Sequence, residues 1–208
     1  MNLVYGYGPK GERIDVQRSD DDVIPRLRDL PGLKRLFLHK DQATDRAMDT
    51  VATLTNLEVL MMWDAKVTNA GIAKLKGLKK LRSIHVSNAG LEDESLLHLS
   101  TLPRLEIMSL QGNRFTDKGL AHLKGMKSLR QLVPDLGQTD ITDAGLAHLS
   151  GLAHLERLGL QRTRVTDEGL KHLRGLKELK ELWVGDGLVT QEGIERLRAD
   201  LPNLKAVQ

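Results

Sequence analysis

Leucine recurs along this chain with a spacing that switches between two and three. The pattern L-x-x-L-x-L starts at Leu33, Leu57, Leu81, Leu105, Leu129, Leu155 and Leu179, with a partial copy at Leu204, at spacings of 24, 24, 24, 24, 26, 24 and 25 residues. Within each copy the apolar residues first alternate, as at Leu60 and Met62 or Leu158 and Leu160, which predicts a strand with one buried face. They then recur every third residue, as at Leu120, Leu123 and Met126 or Leu170, Leu173 and Leu176, which predicts a short helix burying one stripe. A unit of this size cannot bury its apolar face alone. The copies must therefore stack into a single solenoid rather than two globular domains.

Between strand and helix stands T-D-x-G, at Thr116 to Gly119, Thr142 to Gly145 and Thr166 to Gly169. Thr is a helix N-cap, and Asp in the first turn suits the positive end of the helix dipole. The fourth position reads Ala47, Gly71, Ser95, Gly119, Gly145, Gly169 and Gly193, always small, which predicts close packing against the neighbouring repeat.

These residues resemble the leucine-rich-repeat family over about residues 33 to 208. Segments such as ITDAGLAHLSGLAHLERLGL and VTDEGLKHLRGLKELKELWV are similar to the T-D-x-G-L repeats of large bacterial repeat proteins and to the helix-containing repeats of F-box adaptors. The resemblance implies an α/β, right-handed horseshoe solenoid, with a parallel concave sheet and short helices on its convex side. It also implies a binding rather than a catalytic role. The turn position where the family usually carries Asn reads Asp41, Ala65, Ala89, Asn113, Thr163 and Gly187, so no continuous asparagine ladder is expected.

Solenoid ends expose core and strand edges, so caps are expected. Residues 1–32 read as an N-terminal hairpin cap with a shortened first repeat, 33–203 as seven repeats, and 204–208 as a closing half-repeat. The hairpin turn is Gly8-Pro9-Lys10-Gly11, after which Ile14 and Val16 supply core positions of the first repeat's strand. Asp20, Asp21 and Asp22 follow Ser19, and helix capping accounts for them better than a metal site does. Pro134 falls on an inward strand position where the spacing lengthens by two residues, so the ladder should break there. Asp135, Asp140 and Asp143 near that break match no calcium-loop spacing.

Composition narrows the classes. With 31 basic against 28 acidic residues the formal charge is only +3, too balanced to indicate nucleic-acid binding. No cysteine is present, which excludes disulfides and thiolate chemistry and fits a reducing, cytoplasmic compartment. Neither a signal-like start nor a run long enough to span a membrane is present. Aromatics are only 3%, so where they fall is informative.

Alternation assigns two columns to the outward, concave sheet face: Phe37, Met61, His85, Ser109, Val133, Gly159 and Trp183, then His39, Trp63, Ser87, Gln111, Asp135, Gln161 and Gly185. Both tryptophans and one of the two phenylalanines lie there, whereas Phe115 takes a core position. Phe37, His39, Met61, Trp63 and His85 should form one solvent-facing patch, with Ser87 and Gln111 beside it and Trp183 further along as a second anchor or part of a cap. Exposed aromatics and Met mark binding surfaces, although cross-strand packing could occupy the same side chains.

The recurring His98, His122, His148 and His172 alternate with Thr50, Lys74 and Arg196 at the same helix position, so they read as a solvated face rather than a metal ladder. The basic helices read as a solubilising surface. Asp64, His85 and Ser87 formally resemble a triad, but an open sheet lacks a desolvated pocket and oxyanion donors, and no enzyme motif is present. The expectation is therefore a non-catalytic protein-interaction module that binds a protein partner on its concave face and needs no cofactor or metal, with a monomer favoured and the oligomeric state open. The alternatives are a scaffold or substrate-selecting subunit, and a nucleic-acid or membrane-surface binder using the basic convex side.

Overall fold

The computed structural model describes residues 3–11, 13–17, 24–39, 44–133, 140–185 and 188–207. Pro134 and Asp135, the Ser19 to Asp22 run, Asp41 and Gly187 lie outside these residues. Strands alternate with short helices: β3 (Arg35–His39), α1 (Asp45–Val51), β4 (Val59–Trp63), α2 (Asn69–Ala73), β5 (Ser83–Ser87), α3 (Asp93–Leu99), β6 (Ile107–Ser109), α4 (Asp117–Ala121), β7 (Gln131–Val133), α5 (Asp143–Ala147), β8 (Arg157–Gly159), α6 (Asp167–Leu170), β9 (Glu181–Trp183), α7 (Gln191–Asp200) and β10 (Lys205–Val207). From β3 to β10 every neighbouring pair is parallel and consecutive in sequence. The three-residue apolar spacing after each helix start has a direct reading. After α2, α4 and α6 the chain tightens into 3-10 turns at Lys74–Gly77, His122–Gly125 and Lys171–Leu173, whose period is three.

The strand starts are joined by a repeated device. The carbonyl of Lys34 accepts from the amides of both Glu58 and Val59, at 2.7 and 3.0 Å, and the carbonyls of Glu58, Arg82, Glu106, Arg130 and Glu156 do the same for the next repeat. Leucines behind this corner are buried throughout, as Leu57, Leu81, Leu105, Leu129 and Leu155 illustrate. Asn113 is buried with its amide satisfied: it accepts from the Ala89 and Leu91 amides and donates to the carbonyls of Val86 and Leu110. It forms a single rung, and Thr163 donates locally to the Leu160 carbonyl.

The N-terminal hairpin departs from the expected order. Its strands, β1 (Leu3–Tyr7) and β2 (Arg13–Gln17), are joined at Gly8 to Gly11, where Gly11 has φ +81° and donates to the Gly8 carbonyl. β1, not β2, lies beside β3, and it runs antiparallel to both. The physical reason is Gly6. A β-carbon there would come within 2.7 Å of the Arg35 carbonyl and of the Leu33 side chain, so only a bare backbone can sit this close to the first repeat.

The helix starts are closely packed against one another. Asp117 accepts from the backbone amide of Thr142 at 2.8 Å and from its hydroxyl at 2.6 Å, while Thr142 caps α5 through the Ala144 amide. The same bonds join Asp45 to Thr68, Asp93 to Thr116, Asp143 to Thr166 and Asp167 to Thr190. The Asp thus serves the following repeat's helix as well as the start of its own. It also explains the small fourth residue, because a β-carbon on Gly145 would lie 2.3 Å from the Asp117 carboxylate. At one junction all three partners change together. Asn69 accepts from the Glu92 amide and from the Ser95 hydroxyl, so Asn, Glu and Ser replace Asp, Thr and Gly.

Gly145→Ala is expected to cost about 2 kcal/mol, as overpacking does, and Asp117→Ala a similar amount through two lost hydrogen bonds. Because alanine at 117 removes the carboxylate that alanine at 145 strikes, the double variant should be more stable than the sum of the single losses predicts. Urea denaturation of the four proteins measures this coupling, and strict additivity would show that the contact is not the constraint.

Candidate functional site

The outward sheet face at its N-terminal end is assembled from β1, β3, β4 and β5. Phe37, Met61 and His85 are register partners along one row, and His39, Trp63 and Ser87 along the next. Tyr7 meets Phe37 edge-on with ring centroids 5.9 Å apart, and Phe37 stacks on Trp63 at 6.4 Å with planes 16° apart. Phe37 is consequently only 9% exposed. The expected solvent-facing Phe37 is corrected: it lies in the outward column but is sandwiched between two rings. Tyr7 was missed because the alternation of the repeats says nothing about which hairpin strand adjoins β3.

Met61, Trp63, His85 and Ser87 are half-buried, and Gln111 is exposed. The backbone of His39 ends β3. Trp183 is half-buried on β9, about six strands away, and faces Gly159 across the register, a neighbour with no side chain to cover the indole. The sheet therefore brings Met61, Trp63, His85 and Ser87 together beside Phe37 and leaves Trp183 apart.

Asp64, His85 and Ser87 are not joined to one another. His85 Nε2 is 2.9 Å from the hydroxyl of Ser83, not of Ser87, and Asp64 instead accepts from the Asn88 side chain at 2.8 Å. Burial holds the His85 imidazole below its ordinary pKa. Among the described residues no three His, Asp or Glu side chains are grouped to hold a metal ion, and no helix is long and apolar enough to cross a membrane.

A further outward column went unread in the sequence. It precedes the two aromatic columns and consists of Arg35, Val59, Ser83, Ile107, Gln131, Arg157 and Glu181. Beside it the residue after the first Leu of each repeat alternates in charge: Lys34, Glu58, Arg82, Glu106, Arg130, Glu156 and Lys180. These pair along the sheet, Lys34 with Glu58 at 3.3 Å, Arg82 with Glu106 at 2.8 Å, and Glu156 with both Arg130 and Lys180 at 2.7 Å. Lys180 and Arg130 hold the Glu156 carboxyl below its usual range, and Glu156 in turn raises the Arg130 guanidinium. The sign alternation was visible in the sequence at a 24-residue spacing, but it is lost when charges are only counted.

No protein-family model and no curated protein matches the chain. Among solved structures it is similar to an internalin of Listeria monocytogenes, with a TM-score of 0.67 and 22% identity over 86% of this chain and 48% of that one. It is also similar to internalin C2 of the same bacterium, with a TM-score of 0.63 and 16% identity over 95% of this chain and 85% of that one. The fold is a leucine-rich-repeat solenoid. The chain spans about half the length of the first of these internalins, and at such identities the likeness concerns architecture. In this leucine-rich-repeat solenoid the helices cover one face of the sheet, so the columns above are the side chains presented on the other.

Two outcomes follow from the packing. Phe37→Ala should lower stability by about 3 kcal/mol, as loss of a buried ring does, whereas half-buried Trp63→Ala should cost about 1 kcal/mol; thermal or urea unfolding separates them. For His85 the folded-state pKa lies below the unfolded value of 6.5. The unfolded chain therefore takes up its proton first as pH falls, and stability present above pH 6.5 is lost as the pH drops through the folded-state value. His85→Gln should remove that part of the loss. An identical pH dependence in both proteins between pH 7.5 and 5 would refute the assignment.

Proposed function

We propose that this chain is a non-catalytic protein-interaction module that binds a protein partner on the outward face of its sheet. Residues 1–32 act as its cap, 33–203 as the binding array and 204–208 as the closing half-repeat. Met61, Trp63 and His85 form the centre of the contact, with His39, Ser87 and Gln111 at its rim and Trp183 as a separate anchor. Phe37 steadies Trp63 by stacking on it from the neighbouring strand. The single observation that carries this reading is a half-exposed Met, Trp and His on adjacent strands, backed by a stacked ring. Aromatic and Met side chains on a rigid support are the groups that dominate interface energies. The fold shared with the internalins fits a module of this kind. The ion pairs of the strand starts are solvent-exposed and fix register more than they add stability.

Capture of partners from the native organism tests the proposal in three proteins: wild type, Trp63→Ala, and Arg174→Ala on the helix side. A partner retained by wild type and by the helix-side variant, and weakened at least tenfold by Trp63→Ala at unchanged fold, is the expected outcome. Equal retention by all three would place the contact elsewhere.

A further inference from the structure

Below the aromatic rows, at the strand starts, the sheet carries a groove of about 600 Å³. Its floor is Arg35, Val59, Ser83 and Ile107, one side is the alternating ion-pair row, and the hairpin turn at Gly8 and Pro9 closes one end. A smaller hollow of about 170 Å³ shares Glu106 and Ile107 and continues along the same line past Gln131 to Arg157. The two make one trench running across the strands from β3 to β8. Five inter-strand steps of about 4.8 Å give a length of about 24 Å, which an extended peptide of about seven residues would fill.

The charges within the trench are matched except at one point. Lys34 pairs with Glu58, Arg82 with Glu106, Arg130 with Glu156 and Arg157 with Glu181. Arg35 is exposed, its guanidinium is held 5.8 Å over the Tyr7 ring, and it has no carboxylate partner among the described residues. A guanidinium fixed against an aromatic face keeps its donors oriented and loses little freedom on pairing with a carboxylate. Beyond it the floor alternates aliphatic and polar, Val59, Ser83, Ile107 and Gln131, and the glutamates of the side wall are already paired with cations.

We propose that this trench is a second binding site, for an extended acidic peptide segment whose carboxylate meets Arg35 and whose aliphatic side chains lie on Val59 and Ile107. It is separate from the Trp63 surface and does not require it. With a single cation lacking a carboxylate partner among the described residues, the trench matches one carboxylate rather than a phosphate at every step.

Fluorescence anisotropy of labelled, end-capped heptapeptides with Leu at alternate positions tests the site, comparing one that carries a single Glu with versions carrying Gln or Lys in its place. The Glu peptide should bind wild type at least tenfold more tightly than the other two. That preference should vanish in Arg35→Gln, be reduced but keep its sign in Arg35→Lys, weaken with salt, and survive in Trp63→Ala. Indifference to the Glu, a preference that persists in Arg35→Gln or is lost in Trp63→Ala, or tighter binding of a labelled oligodeoxythymidylate would each overturn the proposal. Loss of the protein partner by Trp63→Ala is read independently, so either site can fail without the other.

Discussion

A carboxylate that serves two helices at once holds this molecule in register. Each T-D-x-G aspartate stands at the start of its own helix and accepts the amide and hydroxyl of the next repeat's threonine, as Asp117 does for Thr142 and Asp143 for Thr166. The contact is short because the facing residue has no side chain. Asp167 shows the balance of forces involved: burial pushes its pKa up, but the Thr190 amide and hydroxyl, with Arg196 nearby, hold the carboxyl below its usual value. Solvation lost by the carboxylate is thus returned by donors that would otherwise be orphans at a helix start.

The exception supports the rule. Where Glu92 replaces the capping Thr, an aspartate at position 69 would place two acids together at one helix start. Asn69 avoids that while still accepting from the Glu92 amide, and Ser95, in place of glycine, adds a hydroxyl donor to the same oxygen. The three changes are intelligible only as a set, across two adjacent repeats. Because each repeat touches only its neighbours, such a local substitution need not disturb the array beyond the junction.

Much of this was legible in the chain. Period, core columns and the small fourth position follow from spacing, because the geometry of one repeat is copied to the next. What was not legible depends on contacts that are not copied. Which hairpin strand adjoins β3 is decided by Gly6 against Leu33, a contact made once. Phe37 counted as outward and wet because alternation gives the face of a residue, not what lies on it, and Tyr7 comes from outside the repeats. The strand-start charges were readable in principle, but only when the same position is compared across repeats, since summed charge hides the alternation of Lys34, Glu58, Arg82 and Glu106.

These differences bear on where function can reside. Helix starts are occupied by the contacts that join repeats, so substitutions there act through stability. The outward face is different, because its strands are paired through their backbones. At β3 the hairpin draws Phe37 into a stack between Tyr7 and Trp63, which makes the indole part of a rigid surface rather than a loose side chain. A group already held in place loses little freedom when a partner covers it. The cap that seals the first repeat therefore also orders the side chains beside it, at the N-terminal end of an otherwise repetitive sheet.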